Sequence, residues 1–472
     1  MNLAALLLAP AESTPDAVAL VAGDTSVTYR ELADRAAAFS AHLVAQGIEP
    51  GARVALDGHN TVDFVVAYLG ALRAGVVVVP LNPHAPTAER ERELELVGPV
   101  AEISTAAVSA DAPAVAAVER ADDDVAVLLF TAGTAGLPRA AQLTHGNLAA
   151  NLRQVQDHPG LALRADDVAI GVLPVFHVFG LNVGLGLVLT AGARIVLVEQ
   201  FDPAPALAEI ARHGVTIVAG APTMYASWLD LSPDAAPPDA LASARLVVSG
   251  AAPLTADIAN GMRERFGVTV HDGYGLTEAS PIVTTSVIGV DNPGPGSIGP
   301  PLPGVEVRLV DVDGTDVLPG DSGELWVRGP NVFTGYWNDE EATRRVLTPD
   351  GWLRTGDVAV LDDTGALTLV DRTKDLIIVS GFNVYPAEVE GVLLEHPDVA
   401  DAAVVGEPAP RTGETVIAYV VAEPGHELST DDVAAHCARL LARYKCPSRI
   451  EVVGALPRSF VGKILRRELR PG

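Results

Sequence analysis

Before Gly304, two kinds of segment alternate along the chain, and each has its own pattern of apolar and polar residues. In the first, apolar residues recur at helical spacing: Thr28 and Glu31 are spaced as a capping box before a segment that continues to Leu43, and a second such segment covers residues 62–72. In the second, short runs are apolar throughout, as in strands covered on both faces. These runs lie at residues 54–56, 76–80, 125–130, 195–198, 216–219 and 246–248. The alternation predicts an α/β fold in which helices cover the sheets.

The pattern changes after Gly304. Residues 305–310 and 324–328 alternate polar and apolar side chains, as half-exposed antiparallel strands do, and predict a β-rich subdomain at about residues 300–371. A compact α+β unit follows, with predicted helices at residues 386–394 and 430–441 and predicted strands at 402–405, 416–421 and 449–453. We expect a large N-terminal domain, residues 1–371, and a small mobile C-terminal domain, residues 372–472, with a hinge at about residues 371–375.

Length and charge narrow the possible functions. With 472 residues the chain is too long for one hydrophobic core, so its length predicts two or three domains. Its 60 acidic and 32 basic residues give a formal net charge of −28, which opposes binding to nucleic acid and to anionic membrane surfaces. An anionic ligand must then be bound by a few local cations, by Mg²⁺ or by backbone N–H groups.

Three further features predict a cytoplasmic protein without an integral membrane segment. The apolar stretches 65–81 and 183–198 are interrupted by Gly and Arg, and each predicts a buried helix followed by a strand. The two cysteines, Cys437 and Cys446, are too few for a disulfide framework. No basic segment precedes the short apolar run at the start of the chain, which we interpret as a helix and not as a secretory signal.

Two segments are suited to binding an anion. The apolar run at 125–130 leads into Thr131-Ala132-Gly133-Thr134-Ala135-Gly136-Leu137-Pro138-Arg139, where Gly residues let backbone N–H groups converge and Thr hydroxyls and Arg139 can complete a phosphate cradle. The spacing is not that of a Walker A loop. Near the other end, Gly462-Lys463 presents a long cationic side chain. Each alone is compatible with an ordinary turn or an exposed lysine; together they predict that the C-terminal segment reaches a nucleotide site.

A series of motifs in a fixed order resembles the adenylate-forming superfamily of acyl-CoA synthetases, peptide-synthetase adenylation domains and luciferases. The resemblance covers essentially the whole chain. After the phosphate loop, the motifs are Pro174-Val175-Phe176-His177-Val178-Phe179-Gly180, Ser249-Gly250-Ala251-Ala252-Pro253, Gly273-Tyr274-Gly275-Leu276-Thr277-Glu278, Gly351-Trp352-Leu353-Arg354-Thr355-Gly356-Asp357, Asp371-Arg372-Thr373-Lys374-Asp375, Ser380-Gly381-Phe382-Asn383-Val384-Tyr385-Pro386-Ala387-Glu388-Val389-Glu390 and Gly462-Lys463.

The resemblance implies an ATP-dependent, AMP-forming acid–CoA ligase. A carboxylic acid would react with ATP to give an acyl-adenylate and pyrophosphate; the small domain would then rotate, and CoA would displace AMP. Mg²⁺ would be the cofactor, with Glu278 as its ligand. The implied catalytic residues are Lys463, Thr277, Glu278 and His177. The residues implied to bind ATP or AMP are Thr131, Gly133, Thr134, Gly136, Arg139, Gly250, Ala251, Ala252, Asp272, Gly273, Tyr274, Gly275, Thr277, Asp357 and Arg372. Lys374 would be the hinge, and Gly381 and Phe382 would line the CoA channel.

The chemistry of several residues agrees with these roles. Thr277 and Glu278 pair a hydroxyl with a carboxylate, which suits a phosphate oxygen and Mg²⁺. Tyr274 offers a flat face for adenine, with the small residues 250–252 available for its other side. Asp357 can accept hydrogen bonds from both ribose hydroxyls. Lys463 could stabilise negative charge that develops on the phosphate.

His177 bears on the choice of acid. In the superfamily this position borders the pocket for the acid's carboxylate, and amino-acid-activating members place an aspartate in this motif to pair with the substrate ammonium. The neighbours here are Phe176, Val178 and Phe179, and burial of an unpaired ammonium against them would be costly. A fatty or other apolar carboxylic acid is therefore expected, although packing alone could also explain a histidine here.

The phosphate loop departs from the superfamily pattern. Such loops usually end in Pro-Lys-Gly and carry more hydroxyls, whereas this one ends in Pro138-Arg139-Ala140 and has Ala132 and Ala135. Arg keeps the charge but is bulkier and binds with a different geometry. Two alternatives stay open: transfer of the adenylate to a carrier-protein thiol, and a nucleotide-binding regulatory protein with weakened turnover.

Overall fold

A computed structural model describes most of the 472-residue chain. The described residues are 1–103, 116–132, 138–287, 296–311, 313–318, 320–372, 377–379, 382–384, 386–409, 413–441, 443–458 and 464–469. The chain divides into two compact units, the first comprising Met1–Val307 and Val327–Leu353 and the second Arg308–Trp326 and Arg354–Gly472. Residues 373–375 of the expected hinge lie outside the described residues, so the domain boundary at 371–375 stays a prediction.

Two sheets organise the first unit. Its strands are β1 (Val18–Ala22), β2 (Thr25–Thr28), β3 (Arg53–Asp57), β4 (Val77–Leu81), β5 (Ala101–Ile103), β6 (Val125–Ala132), β7 (Pro138–Thr144), β8 (Val168–Gly171), β9 (Arg194–Leu197), β10 (Ile217–Gly220), β11 (Leu246–Ser249), β12 (Val270–Gly275), β13 (Ile282–Thr285) and β14 (Ser297–Gly299). One sheet has the order β13-β12-β11-β10-β8-β9-β1-β2 and is parallel except at its two edges. The other has the order β5-β3-β4-β6-β7, with β7 antiparallel to β6. The apolar runs predicted as strands lie in these two sheets, which confirms the α/β prediction.

Helices cover the sheets of the first unit. They are α1 (Leu3–Leu7), α2 (Pro10–Ser13), α3 (Tyr29–Ala45), α4 (Val62–Arg73), α5 (Thr87–Val97), α6 (His145–Gln156), α7 (Val188–Thr190), α8 (Pro203–His213), α9 (Pro222–Leu229), α10 (Ala256–Phe266) and α11 (Glu340–Val346), together with a π-helix at Phe179–Leu187 and a 3₁₀ turn at Thr277–Ala279. The predicted capping box at α3 is confirmed: the Glu31 N–H donates to the Thr28 hydroxyl, and the Thr28 N–H donates to the Glu31 carboxylate. No helix among the described residues has both the length and the apolarity needed to cross a bilayer.

The second unit has two groups of strands. The elements that lie mostly or wholly in it are β15 (Glu306–Val310), β16 (Ser322–Arg328), β17 (Leu353–Leu361), β18 (Leu367–Arg372), β19 (Ile377–Val379), β20 (Phe382–Val384), α12 (Pro386–Leu394), β21 (Val399–Ala409), β22 (Gly413–Ala422), α13 (Thr430–Leu440), β23 (Arg449–Val452) and a 3₁₀ turn at Arg466–Glu468. Strands β15 to β18 are neighbours in the order β18-β17-β16-β15, and β17 and β18 pair antiparallel. Strands β20-β19-β22-β21, with β23 beside β22, form the second sheet. The predicted α+β composition after Asp371 is confirmed.

A buried ion pair lies where the parallel strands of the eight-stranded sheet begin. Asp167 precedes β8, and Arg245 precedes β11; the Arg245 guanidinium donates to both carboxylate oxygens, at 2.7 and 2.5 Å. The hydroxyl of Thr216, which precedes β10, donates to the same carboxylate at 2.8 Å. Burial opposes ionisation of Asp167, but the hydrogen bonds from Arg245, the Arg164 N–H and Thr216 lower its pKa below the ordinary value.

Replacement of this carboxylate tests the ion pair. We expect Asp167→Asn to reduce the free energy of unfolding at neutral pH by about 2–3 kcal/mol, because the Asp167 side chain is 3% exposed and the substitution leaves Arg245 without its counter-ion. A lowered folded-state pKa stabilises the fold above the unfolded-state value, near 4, and this stabilisation is lost as pH falls through the folded-state pKa. The difference between variant and parent should therefore shrink in acid. Urea unfolding followed by tryptophan fluorescence measures it.

Asp16→Asn is the matched control, because Asp16 pairs with Arg30 but is 88% exposed. Its effect should be close to zero. An equal loss of stability in the two variants would contradict the role given to the buried pair.

Candidate functional site

The carboxyl ends of β10, β11 and β12 meet at one edge of the larger sheet. Gly220 pairs with Ser249, and Ser249 pairs with Asp272, so β10 and β11 end side by side and β12 continues three residues further. The segments that leave this edge are residues 250–252 after β11 and residues 276–279 after β12. Ligands of open parallel sheets bind outside the carboxyl ends of the strands. The fold thus brings together two of the motifs singled out in the sequence, which lie more than 20 positions apart.

The backbone after β11 is closely covered by an aromatic ring. A Cβ atom on Gly250 would lie 3.0 Å from Cε1 of Phe179, so the ring lies against the backbone at this position. The next residue, Ala251, has φ of 70°, which is uncommon for a residue with a side chain and is found where the surrounding structure imposes it. Phe179 and residues 250–251 form a close contact at the end of the sheet.

Asp272 and Tyr274 lie on β12 next to this contact. Burial raises the pKa of Asp272 to about 7, although backbone N–H groups of Leu254 and Gly273 hydrogen-bond to its carboxyl group and act in the opposite direction. Tyr274 is 8% exposed, so little of its ring surface is accessible. The predicted contact of Tyr274 with adenine stays a prediction.

Glu278 is anchored by a residue that the sequence analysis missed. Glu278 lies in the 3₁₀ turn Thr277–Ala279, and the phenol of Tyr336 donates a hydrogen bond of 2.6 Å to its Oε1. Burial and the nearby Glu278 carboxylate raise the pKa of Tyr336, so its hydroxyl stays protonated and serves as a donor. The backbone is held as well, because the Phe333 N–H donates to the Glu278 carbonyl at 2.8 Å.

The oxygen atoms at this turn suit Mg²⁺. Glu278 has a second carboxylate oxygen, Oε2, and Thr277 contributes a hydroxyl; both are hard oxygen donors. In the part of the chain that the structure describes, no three His, Cys, Asp or Glu residues are grouped so as to hold a metal. Mg²⁺ typically binds through one or two carboxylates and completes its coordination with phosphates and water. The residues therefore fit a cation that binds together with a phosphorylated ligand.

Arg139 lies beside Tyr336. It pairs with Thr131 across β6 and β7 at the base of the phosphate loop, whose residues 133–137, including Gly133, Thr134 and Gly136, lie outside the described residues. Its guanidinium carbon lies 5.6 Å from the centre of the Tyr336 ring, and its Nε lies 3.3 Å from Oδ2 of Asp339. Asp339 caps α11 by accepting a hydrogen bond from the Ala342 N–H. An Asp directly before a short helical segment is a local signal for such a cap, but it does not indicate the contact with Arg139.

Buried amide side chains hold the turn that follows Glu278. Each is almost fully buried and donates to backbone carbonyls of residues 279–282, a group that the sequence analysis did not identify. Asn331 donates to the Ala279 carbonyl, Asn182 to the Ser280 carbonyl and Asn151 to the Ile282 carbonyl, each at 2.8 Å. The side chains thus supply donors to backbone carbonyls where the chain turns between β12 and β13.

His177 precedes the π-helix and is partly exposed. Desolvation lowers its pKa, and its Nδ1 accepts a hydrogen bond of 3.3 Å from the Phe179 N–H. The imidazole is therefore neutral at physiological pH, with Nε2 as its remaining ring nitrogen. π-Helical segments in proteins are rare and are often found at functional sites.

The remaining predicted site residues belong to the second unit. Asp357 is buried on β17, where its N–H donates to the Thr355 hydroxyl and its Cα pairs with that of Arg372 on β18. Phe382 begins β20. Lys374, Gly381 and Lys463 lie outside the described residues, so their predicted roles stay predictions.

Comparison with protein families gives matches over most of the chain. The family described as "AMP-binding enzyme" matches residues 7–118 and 101–337. The family described as "AMP-binding enzyme C-terminal domain" matches residues 388–463.

Two similar proteins are named as CoA-thioester-forming enzymes. The long-chain-fatty-acid–CoA ligase of Yersinia pestis is 35% identical over 507 residues, which covers 94% of this chain and 89% of that protein. The feruloyl-CoA synthase of an Amycolatopsis species is 38% identical over 480 residues, which covers 98% of this chain and 96% of that protein. The two names refer to different acids.

Solved structures agree with the fold. ATP-bound MatB from Rhodopseudomonas palustris has a TM-score of 0.92 and 33% identity, over 99% of this chain and 98% of that one. O-Succinylbenzoate coenzyme A synthetase (MenE) from Bacillus subtilis, in complex with ATP and magnesium ion, has a TM-score of 0.87 and 32% identity, over 98% of each chain. A structural neighbour thus holds ATP together with the cation for which Glu278 is suited.

The amide group generates a prediction about stability. Asn182→Ala should lower the free energy of unfolding by about 1–3 kcal/mol, because the buried carbonyls of Ser280 and Leu148 lose a hydrogen-bond donor. The exposed Asn260 on α10 provides the matched control, and Asn260→Ala should change stability little. Chemical denaturation of both variants measures the difference. If Asn182→Ala unfolded at the parent's midpoint, the turn would be held without this side chain.

Proposed function

Because the chain belongs to the AMP-binding enzyme family and is an AMP-forming acid–CoA ligase, we propose that it activates a fatty or other apolar carboxylic acid in two half-reactions. In the first, a carboxylate oxygen of the acid attacks the α-phosphorus of ATP, and pyrophosphate leaves. In the second, the CoA thiol gives up its proton and its sulfur attacks the acyl carbon, and AMP leaves. The products are an acyl-CoA thioester, AMP and pyrophosphate.

Nucleotide binding is proposed for residues at the ends of β11 and β12 and at the base of the phosphate loop. Thr277 would hydrogen-bond to an α-phosphate oxygen, and Glu278 would hold Mg²⁺, which when bound neutralises phosphate charge. Arg139 would face the departing pyrophosphate. The further proposed contacts are Thr131, Gly133, Thr134 and Gly136 with phosphates; Gly250, Ala251, Ala252, Asp272, Gly273, Tyr274 and Gly275 with adenine; and Asp357 and Arg372 with ribose or phosphate.

The proposed small-domain roles follow the same reaction. Lys463 would bridge the acid and the α-phosphate in the first half-reaction. Rotation about Lys374 would then admit CoA along Gly381 and Phe382. The assignment of Lys463 rests on its motif and on the match of residues 388–463 to the C-terminal family. The assignments of Lys374, Gly381 and Phe382 rest on their motifs alone.

The observation that carries the choice of acid is the apolar character of the segment around the π-helix. No charged residue occurs in residues 173–193. The nearest carboxylate before this segment, Asp167, is already paired with Arg245, and the nearest one after it, Glu199, is 63% exposed. An ammonium group on the substrate would have no counter-ion along this segment. A neutral His177 could instead hydrogen-bond to the carboxyl group. The names of the two relatives, for a fatty acid and for ferulate, support an apolar acid.

A panel of acids tests the proposed substrate. With Mg²⁺ and ATP, the kcat/KM for pyrophosphate release should be at least about 10-fold higher with fatty or aryl acids than with amino acids of similar size. The reason is that an unpaired buried ammonium costs more than about 1.4 kcal/mol. AMP formation should depend on CoA. Release that was fastest with amino acids would contradict the proposed pocket, and turnover only with a carrier-protein thiol would contradict CoA as acceptor.

Lys463→Ala separates the half-reactions. We expect adenylate formation to fall by at least about 100-fold, because the substitution removes a cation from the developing phosphate charge. Thioester formation from a chemically supplied acyl-adenylate and CoA should change by less than about 3-fold, a factor below 1 kcal/mol. Single-turnover assays of each step measure the two effects. Arg458→Ala serves as the control, since Arg458 is a nearby cation that pairs with the partly exposed Asp401. Equal losses in the two half-reactions would exclude the proposed role of Lys463.

A further inference from the structure

We propose that Tyr336 is a positioning residue that serves both charged groups of the phosphate site: its hydroxyl orients the Glu278 carboxylate, and its ring supports the Arg139 guanidinium. This inference rests on the proposed function, because it gives Tyr336 a role in binding the phosphates of ATP. The residues involved all belong to the first unit.

The hydroxyl contact acts on Glu278. A hydrogen bond of 2.6 Å from the Tyr336 phenol to Oε1 restricts rotation of the carboxylate and leaves Oε2 available for a cation. Tyr336 itself is 8% exposed, so water cannot readily replace it. Hydrogen bonds to a metal-binding carboxylate typically change metal affinity about 10- to 100-fold, because they fix the direction of the ligand oxygen.

The ring contact acts on Arg139. The guanidinium lies 5.6 Å from the ring centre, within the range of a cation–π interaction, and Asp339 holds its Nε from another direction. A lysine has no planar group to stack on the ring and no fork to reach Asp339 at the same time. The departure from Pro-Lys-Gly at this loop is thus matched by two partners that suit arginine.

Tyr336 is itself firmly placed. Its N–H donates to the Thr343 hydroxyl at 2.9 Å. The backbone on either side of it pairs with β7, since the Gln142 N–H donates to the Gly335 carbonyl and the Trp337 N–H donates to the Ala140 carbonyl. Arg139 and Tyr336 are therefore held on neighbouring backbone segments. A shift of Tyr336 would move the partners of both Glu278 and Arg139.

Two substitutions at one position separate the two contacts. Tyr336→Phe removes the hydroxyl and keeps the ring, whereas Tyr336→Leu removes both. Arg139→Lys, introduced into the parent and into each variant, then measures how much of the difference in pyrophosphate affinity between arginine and lysine depends on the Tyr336 ring. Thermal unfolding confirms that each variant is folded, and Tyr336→Phe keeps the proposal testable if Tyr336→Leu does not fold.

Equilibrium binding supplies the readouts. Calorimetry measures ATP binding over a range of Mg²⁺ concentrations, AMP binding without metal, and pyrophosphate binding. For Tyr336→Phe we expect the Mg²⁺ concentration that gives half-maximal ATP binding to rise about 10-fold, with AMP affinity unchanged. For Tyr336→Leu we expect, in addition, pyrophosphate affinity to fall about 3-fold, and Arg139→Lys to have no further effect in that background.

An unchanged Mg²⁺ dependence in Tyr336→Phe would overturn the hydroxyl role, and equal pyrophosphate affinity in Tyr336→Phe and Tyr336→Leu would overturn the ring role. A parallel loss of AMP affinity would also overturn the proposal, because it would indicate general damage to the nucleotide site. Assays of the parent protein distinguish failure of the Tyr336 proposal from failure of the proposed function. If the parent binds ATP and releases pyrophosphate in the presence of an acid, the proposed function is upheld even if every Tyr336 variant behaves like the parent.

Discussion

The candidate site depends on one constraint, which is that irregular backbone in a protein interior must find hydrogen-bond partners. Residues 279–282 connect the 3₁₀ turn after β12 to the start of β13, and side-chain amides donate to three of their four backbone carbonyl groups. The donors are Asn151, Asn182 and Asn331, which lie in three separate parts of the chain. Thr277 and Glu278 therefore keep their direction because side chains distant in sequence hold the segment that follows them.

The positive charge of Arg139 at the candidate site is paired with a nearby carboxylate. The chain has a net charge of −28, yet the function proposed for the candidate site requires it to bind phosphates. Arg139 in the first unit is paired with Asp339, which at the same time caps α11. Such a partner reduces the cost of holding a cation in place without ligand, and it would compete with a phosphate for the same guanidinium. Under the proposed function, phosphate binding by Arg139 would therefore be balanced against the partly exposed carboxylate of Asp339.

Several elements were readable from local sequence. The capping box of Thr28 and Glu31 marked the start of α3, and α12 begins and ends at the predicted residues, 386 and 394. In these cases the signal lies within one or two helical turns of the element it predicts. The motif at residues 273–278 was identified differently, from its place in the ordered series of motifs that resembles the adenylate-forming superfamily.

Tyr336 and the three asparagines could not be identified in that way, and the helix-cap signal of Asp339 did not show that it contacts Arg139. Tyr336 is 58 positions from Glu278, and Asn182 is 98 positions from Ser280, so no local pattern connects them. By itself the sequence determined the α/β architecture, the order of the motifs and the types of chemical group at the site, because propensity, periodicity and motif spacing are local properties. Only the tertiary structure decided which oxygen of Glu278 is engaged, what Arg139 contacts and which side chains hold the turn, because those contacts form where separate segments pack together.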